Sequence, residues 1–304
     1  MAKTAAASAP TKAKMGLRKK QSLIGWGFLT PAAVLIAIMS FYPMVRALIL
    51  SFMTGTGQNM SFAGIYNYTR LFQDSLFKQA LFNTFFYLII QVPIMLVLAL
   101  VLASMLNNKD LKFKGLFRTC IFLPCATSLV SYAIIFRSLF ANDGFVNKIL
   151  MSLHFIDAPV AWLTTTSTAR FVIIFALVWR WTGYNMVFYL SGLQNIDYSV
   201  YEAARIDGAS PWRIFWQITV PLLKPTILLT AIMSTHGTLQ LFDESVNLTN
   251  GGPANTTITM SHYIYNLSFK GAPNFGYASA LAFVILILVA ILAFAQMKVG
   301  DSRE

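Results

Sequence analysis

Residues 85–106 read FFYLIIQVPIMLVLALVLASML, and no charged side chain interrupts them. A bilayer's hydrocarbon core, about 30 Å thick, takes roughly 20 apolar helical residues to cross. Five further stretches of similar length and character follow the same pattern: Leu23–Tyr42, Ile121–Phe140, Phe171–Leu193, Leu222–Leu241 and Ala278–Met297. The chain of 304 residues is 57% hydrophobic and only 11% charged, with a mean hydropathy of +0.62. A soluble protein carries about 25% charged residues, so this chain has too little polar surface to wet a globule. A soluble enzyme, a disordered chain and a secreted disulfide scaffold are excluded on that ground. The sequence predicts an all-α polytopic membrane protein with about six transmembrane helices.

The net charge of +12 does not point to nucleic acid, because the cations do not gather on one folded surface. They lie in short clusters between apolar runs, where topology signals lie. Of the 23 Lys and Arg residues, fifteen fall in the two tails and the second-to-third and fourth-to-fifth connections, and seven fall on the opposite side. Arg180 alone lies near the middle of a span. The bias predicts both termini in the cytoplasm. Residues 1–20 read as a disordered basic cytoplasmic tail, residues 21–299 as a single transmembrane domain, and residues 300–304 as a second tail. The first span follows Arg18, Lys19 and Lys20 as a signal peptide would, but it is too long for one and lacks a convincing cleavage site. The connections 141–170 and 242–277 are expected outside, with short helices or turns; Asn250-Gly251-Gly252-Pro253 is a turn signal. Cys120 and Cys125 fall on different faces of one helix and read as small buried hydrophobes rather than a disulfide or metal pair.

The connection 194–221, QNIDYSVYEAARIDGASPWRIFWQITVP, does not explain itself as lipid-facing helix. Asp197 or Ser199 suits the N-cap of a short helix running to about Ile206 and ended by Gly208. Pro211 suits the first turn of a second helix. Val200, Tyr201, Ala204, Trp212, Phe215, Trp216 and Ile218 are many apolar groups for a solvated loop. Ala203 and Ala204 keep one side of the first helix low, and Glu202 and Arg205 offer charges at its rim. An amphipathic segment resting on lipid is one reading. A docking element for a cytoplasmic partner accounts better for the small residues and the glycine turn.

These residues resemble the EAA loop of the permeases of binding-protein-dependent ABC importers. Glu202-Ala203-Ala204, Asp207-Gly208-Ala209, Phe215, Ile218 and Pro221 place nine positions in register over 20 residues. Val220 stands where leucine is usual before the proline. The rest of the chain, from about Leu29 to Gln296, looks like the carbohydrate branch, the maltose-type and multiple-sugar permeases. Matching positions include Asn67-Tyr68, Asn83-Thr84, Arg118 with Leu123-Pro124, Gly183-Tyr184-Asn185, Leu248-Thr249 with Gly251-Gly252-Pro253, and Gly276-Tyr277-Ala278. The resemblance implies a type I ABC importer permease fold and a plasma-membrane subunit of a bacterial or archaeal sugar importer. Its implied partners are a second homologous permease subunit, two ATPase subunits and an extracytoplasmic sugar-binding protein, besides membrane lipid. It implies no cofactor on this chain, with ATP and Mg on the ATPase subunits, and no catalytic or metal site. Glu202, Ala203, Ala204, Asp207, Gly208, Ala209 and Phe215 are the implied ATPase-coupling residues.

A sugar pathway needs aromatic faces for C–H surfaces and amides or carboxylates for hydroxyls, turned to an aqueous cavity. Arg180, Trp181, Tyr184 and Asn185 in the fourth span, and Gln240, Phe242 and Asp243 after the fifth, offer that chemistry. Helix packing and interhelical hydrogen bonding are the competing account of each. Arg180 is the least expected of them, since a charge near a span centre costs about 2.5–3.5 kcal/mol to insert. Asp243 and Glu244 are tempting partners for it, but along ideal helices they lie about 15 Å from its depth. His154, His236 and His262 show no metal spacing, and His236 reads as a hydrogen-bonded packing residue. No P-loop, zinc-protease or nucleophile-elbow motif occurs. The alternatives are a permease of the same design for another solute, such as glycerol phosphate, and a stand-alone secondary transporter. The latter would need midplane titratable groups, for which the spans offer only Arg180 and His236.

Overall fold

The computed structural model describes residues 13–56, 59–108 and 111–300. The expected tails at 1–20 and 300–304 lie largely outside these, although helix already begins at Ala13. Two units are distinguished, Met1–Leu50 and Ser51–Glu304.

The first unit is one long helical run. Helix α1 (Ala13–Ile36) passes through a π turn at Ala37–Phe41 into α2 (Tyr42–Ser51). The wide turn immediately precedes Pro43, which lacks an N–H and whose ring would clash with the carbonyl four residues back. The apolar helix Lys19–Ser51 contains the expected first span and exceeds it.

The second unit opens with a two-stranded antiparallel ribbon, β1 (Met53–Thr56) and β2 (Asn59–Phe62), with Met53 opposite Phe62. Helix α3 (Tyr66–Leu71) is stitched to it: the Asn67 amide donates to the carbonyls of Ser51 and Met53 at 2.9 and 2.8 Å. Then come α4 (Ser75–Leu106), α5 (Lys114–Ala126), α6 (Leu129–Leu139), α7 (Phe145–Ser152) and α8 (Thr166–Gln194). The remainder is α9 (Tyr198–Ile206), α10 (Pro211–Ile214), a π turn at Phe215–Thr219, α11 (Val220–Leu222), α12 (Lys224–Leu239), α13 (Asp243–Asn247), α14 (Met260–Phe269) and α15 (Phe275–Gly300).

Helices α4, α8 and α15 contain the expected second, fourth and sixth spans. The third and fifth differ. Residues 121–140 do not form one helix: α5 and α6 meet at 98°, after Pro124 and an extended backbone at Thr127. The fifth span begins at Lys224 rather than Leu222 and stands at 69° to the helical run Pro211–Leu222. Proline in the first turn of α12 is where a new helix tolerates it. Four helices are therefore long and apolar enough to cross a bilayer, and up to six segments are if each bent pair counts as one. Cys120 is exposed and Cys125 half-buried, so neither is the fully buried hydrophobe expected.

Helices α4 and α8 pack along their lengths and carry the interior. One core joins Tyr87 of α4 to Tyr132 and Phe136 of α6 and Ile173 of α8. A second joins Phe77 to Tyr277 and Leu281. The third joins Ala99, Tyr189, Leu193 and Leu223 at the other end of α4. Interhelical hydrogen bonds are interleaved with them: Thr238 donates to Gln91 at 3.0 Å, and Thr230 to the Tyr189 hydroxyl at 2.8 Å.

Asp74 is the hub of one end. Its carboxylate caps α4, accepting from the backbone N–H groups of Leu76 and Phe77, and takes the hydroxyls of Tyr263 and Tyr277, each at 2.6 Å. Burial pulls the Asp74 carboxyl upward, but these four donors outweigh it and hold it below its ordinary range. The segment between α13 and α14 is stapled by hydroxyls and amides. Ser245 Oγ donates to the Thr257 carbonyl at 3.0 Å and lies 2.9 Å from His262 Nδ1. Asn83 donates to the Ile258 carbonyl, while Arg170 donates to Asn83 and to the Thr256 carbonyl. Asn250 and Gly251 both have positive φ, so the expected turn is present.

His262 is 1% exposed, and burial, helped by the charge of Lys270, depresses its pKa to about 4. A histidine buried neutral binds fewer protons folded than unfolded. Its contribution is intact above the unfolded value near 6.5 and lost as pH falls toward about 4. The thermal midpoint of the purified protein should fall over that window, and His262→Gln should flatten the fall. A variant as acid-sensitive as wild type would show that His262 is not the group responsible.

Candidate functional site

The connection between α8 and α12 folds as the helix–turn–helix its residues predict. Asp197 caps α9, accepting from the Ser199 N–H at 3.0 Å, and hydrogen bonds from Ser199 hold its carboxyl below the ordinary range. Ser210 caps α10 by accepting from the Arg213 N–H at 3.3 Å, with Pro211 opening the helix. Gly208 joins the arms at φ +74°, and a Cβ built there would meet nothing within 4 Å. Backbone conformation rather than space is therefore what requires glycine there.

The two faces of α9 do different things. Tyr201 and Ala204 are buried, while Glu202, Ala203, Ile206, Asp207 and Gly208 are exposed, and Ala209 and Phe215 are half-buried. Ala203 and Ala204 do not form the single low side expected of them. Successive helical residues are about 100° apart, so one faces out and the other in. The exposed apolar groups are Ile206 at 86% and Trp212 at 72%, with Trp216 and Val200 beside them. Arg205 donates to the Tyr198 hydroxyl at 2.8 Å and Arg213 to Gln217 at 2.7 Å, so both cations bond within the segment.

At the centre of α8 Arg180 is 4% exposed, and its surroundings explain it. Its guanidinium donates to the Thr127 carbonyl at 3.0 Å, and to the Cys125 carbonyl and Thr127 Oγ1 at 3.4 Å each. It lies over the rings of Tyr132 and Trp181 at 5.0 and 5.5 Å. These acceptors are the exposed end of α5 at the α5–α6 elbow. A helix C-terminus leaves carbonyls unpaired and carries partial negative charge, which a cation satisfies. One turn along, a Cβ on Gly183 would stand 2.0 Å from the Ile121 carbonyl. Glycine there lets the α5 backbone lie directly against α8.

Glu244, set aside on ideal-helix geometry, proves to be close to this site. Helix α12 ends at Leu239, and α13 then packs against α6 and α8. The Glu244 side chain is buried near Trp181 and Arg180, and its Oε1 has no hydrogen-bond partner among the described residues. Its depth was misjudged because the chain leaves the helical path at Gln240.

The remaining pathway candidates divide. Trp181 and Tyr184 are half-buried and meet edge to face at 5.8 Å, with Phe188 continuing the row at 5.1 Å from Tyr184. Asn185 is buried; its amide donates to the Trp181 carbonyl and its oxygen accepts from Ser234 of α12. Gln240 is exposed, Asp243 half-buried, and Phe242 turned toward His262 and Tyr265. His236 is exposed and lines a small cavity with Thr235 and Gln296, rather than packing as expected. Among the described residues, no group of three or more His, Cys, Asp or Glu side chains is placed to hold a metal.

Arg180→Ala should cost about 2–3 kcal/mol by orphaning the elbow carbonyls, read as a lowered unfolding midpoint in detergent. An unchanged midpoint would mean that the elbow stands without it. Gly208→Ala should strain the turn by about 1–2 kcal/mol and speed hydrogen exchange in α9 and α10 while leaving α8 protected. Exchange that does not change would show the turn indifferent to the left-handed residue.

Residues 95–303 match the family described as binding-protein-dependent transport system inner membrane component. The chain is 50% identical over 296 residues to the lactose transport system permease protein LacF of Rhizobium radiobacter, covering 97% of this chain and 99% of that one. It is 33% identical to the arabinooligosaccharides transport system permease protein AraP of Bacillus subtilis (strain 168), over 90% of this chain and 88% of that one. A chain in the crystal structure of a bacterial alginate ABC transporter, in complex with alginate pentasaccharide-bound periplasmic protein, shares the fold with a TM-score of 0.82. That match has 24% identity and covers 93% of this chain and 95% of that chain. The protein belongs to the binding-protein-dependent inner membrane components, among the permeases of carbohydrate ABC importers.

Proposed function

We propose that this chain forms half of the translocation pathway of an ATP-driven oligosaccharide importer, and that the α8–α12 connection couples it to a cytoplasmic ATPase. The observation that carries the reading is the exposed, capped helix–turn–helix, whose Ile206 and Trp212 stand in solvent beside Glu202, Ala203, Asp207 and Gly208. Exposed aromatic and aliphatic anchors of this kind are characteristic of a protein interface. Ala204, Ala209 and Phe215 back that surface from inside. Both termini face the cytoplasm on this reading, since the basic residues cluster with this connection.

The assembly comprises a second homologous permease, two ATPase subunits that carry ATP and Mg, and an extracytoplasmic sugar-binding protein, in the plasma membrane. The chain itself binds no cofactor and is no enzyme. Trp181, Tyr184 and Gln240 present partly open aromatic and amide groups, the chemistry that sugar faces and hydroxyls need. Arg180, Asn185, Phe242 and Asp243 border and hold that wall. The names of the lactose and arabinooligosaccharide relatives support a neutral oligosaccharide, and a lactose-type disaccharide is the first to test.

Purification of the tagged chain from its native host in mild detergent should bring down a P-loop ATPase and a second permease, identified by mass spectrometry. Glu202→Ala with Gly208→Pro should lose the ATPase and keep the permease. A chain that purifies without any ATPase would overturn the coupling reading. In the assembled importer, Trp181→Ala should lower uptake of radiolabelled lactose at least about tenfold, the scale of one lost aromatic contact. Unchanged uptake would remove Trp181 from the pathway.

A further inference from the structure

A cavity of about 1130 Å³ opens between the α8–α12 connection and the neighbouring ends of α4 and α5. Ligand sites for small molecules span about 300–1,000 Å³, so this one has room for a large amphiphile. Leu102 and Met105 of α4, Ile121 of α5 and Phe215 form much of its wall, which is mainly apolar.

Charge narrows the choice. Arg205 lines the cavity, and among the described residues no carboxylate does. Helix α5, which contributes Phe117 and Ile121, carries Lys114 and Arg118 on the same stretch, with Lys112 just before it. The apolar surface continues outward from there onto exposed Phe113, Leu116 and Leu123. A molecule whose tail belongs in hydrocarbon and whose head is an anion fits all of these.

We infer that the cavity holds the acyl chains of an anionic phospholipid, its phosphate on Arg205 and the α5 cations, wedging the helix–turn–helix against the span ends. The inference rests on reading this segment as the coupling element. It makes the stiffness of that element depend on the lipid of the inner leaflet.

The test uses the assembled importer with its partner chains. Native mass spectrometry is run with phosphatidylglycerol or phosphatidylcholine added to delipidated complex. Wild type should retain one more phosphatidylglycerol per copy of this chain than Met105→Trp, which fills the cavity from α4; Met105→Phe is the milder variant should tryptophan prevent assembly. Arg205→Gln should lower the preference for phosphatidylglycerol about fivefold, one basic residue's share of attraction to an anionic headgroup. In nanodiscs, sugar-stimulated ATP hydrolysis by wild type should rise when phosphatidylglycerol joins phosphatidylcholine, and that of Met105→Trp should not. Equal lipid retention by wild type and both Met105 variants overturns the inference, as does a response to phosphatidylglycerol that Met105→Trp preserves. Stimulation of hydrolysis by sugar and binding protein in the same nanodiscs is the separate test of importer function. It can succeed while the lipid site fails.

Discussion

A helix that stops among apolar neighbours leaves its last carbonyls without water to bond, and each such group must then be satisfied from within. This chain stops a helix in that way at Ala126, where α5 turns through 98° into α6. Arg180 supplies the missing donors from the middle of α8. Its planar guanidinium spans several acceptors at once and stays charged, which a lysine's single ammonium would not reproduce. Gly183, one turn along, brings the two backbones close enough for that reach. The placement of α5, α6 and the Tyr132 core depends on this one cross-brace.

Because α8 is continuous from the brace to Gln194, whatever displaces one end is transmitted to the other. Arg180 and Gln194 lie about 21 Å apart along the helix at 1.5 Å per residue. At the far end the Asp197 cap follows within three residues, and Leu193 packs with Tyr189 and Leu223. The half-open row Trp181, Tyr184 and Phe188 rides on the same rod. A motion applied at the α8–α12 connection therefore reaches the aromatic row without crossing a flexible joint.

Much of this was legible in the residues. The runs without charge marked the long helices, because nothing else in a chain with so little polar surface accommodates twenty apolar residues in sequence. Asp197, Gly208 and Pro211 marked the helix–turn–helix, because caps, left-handed turns and first-turn prolines act locally. What could not be read was bending. Pro124 and Pro225 lie in sequences that still look like span, since hydropathy averages over the very residue that breaks the backbone. Glu244 was misplaced for the same reason: its depth was counted along a helix that ends at Leu239. The pairing of Arg180 with carbonyl oxygens was equally out of reach, because every residue has a carbonyl and only the fold decides which ones are left open.

The sparse polar groups also divide the molecule into two mechanical regimes. Asp74 to Tyr277, Asn83 to Ile258, Arg170 to Thr256 and Arg180 to Thr127 each join segments far apart in sequence through directed hydrogen bonds. Such bonds weaken steeply when bent or stretched, so they hold register. The α8–α12 connection is attached differently. The side-chain bonds of Arg205, Arg213 and Asp197 run within it, and it packs on the rest of the unit through Tyr201, Ala204, Phe215 and Leu223. Apolar contacts are non-directional and tolerate sliding so long as area stays buried. A segment that is stiff inside yet attached by contacts of that kind moves as a body together with α8, and the hydrogen-bonded end of the molecule is the anchor it turns against. That asymmetry is what a lever requires.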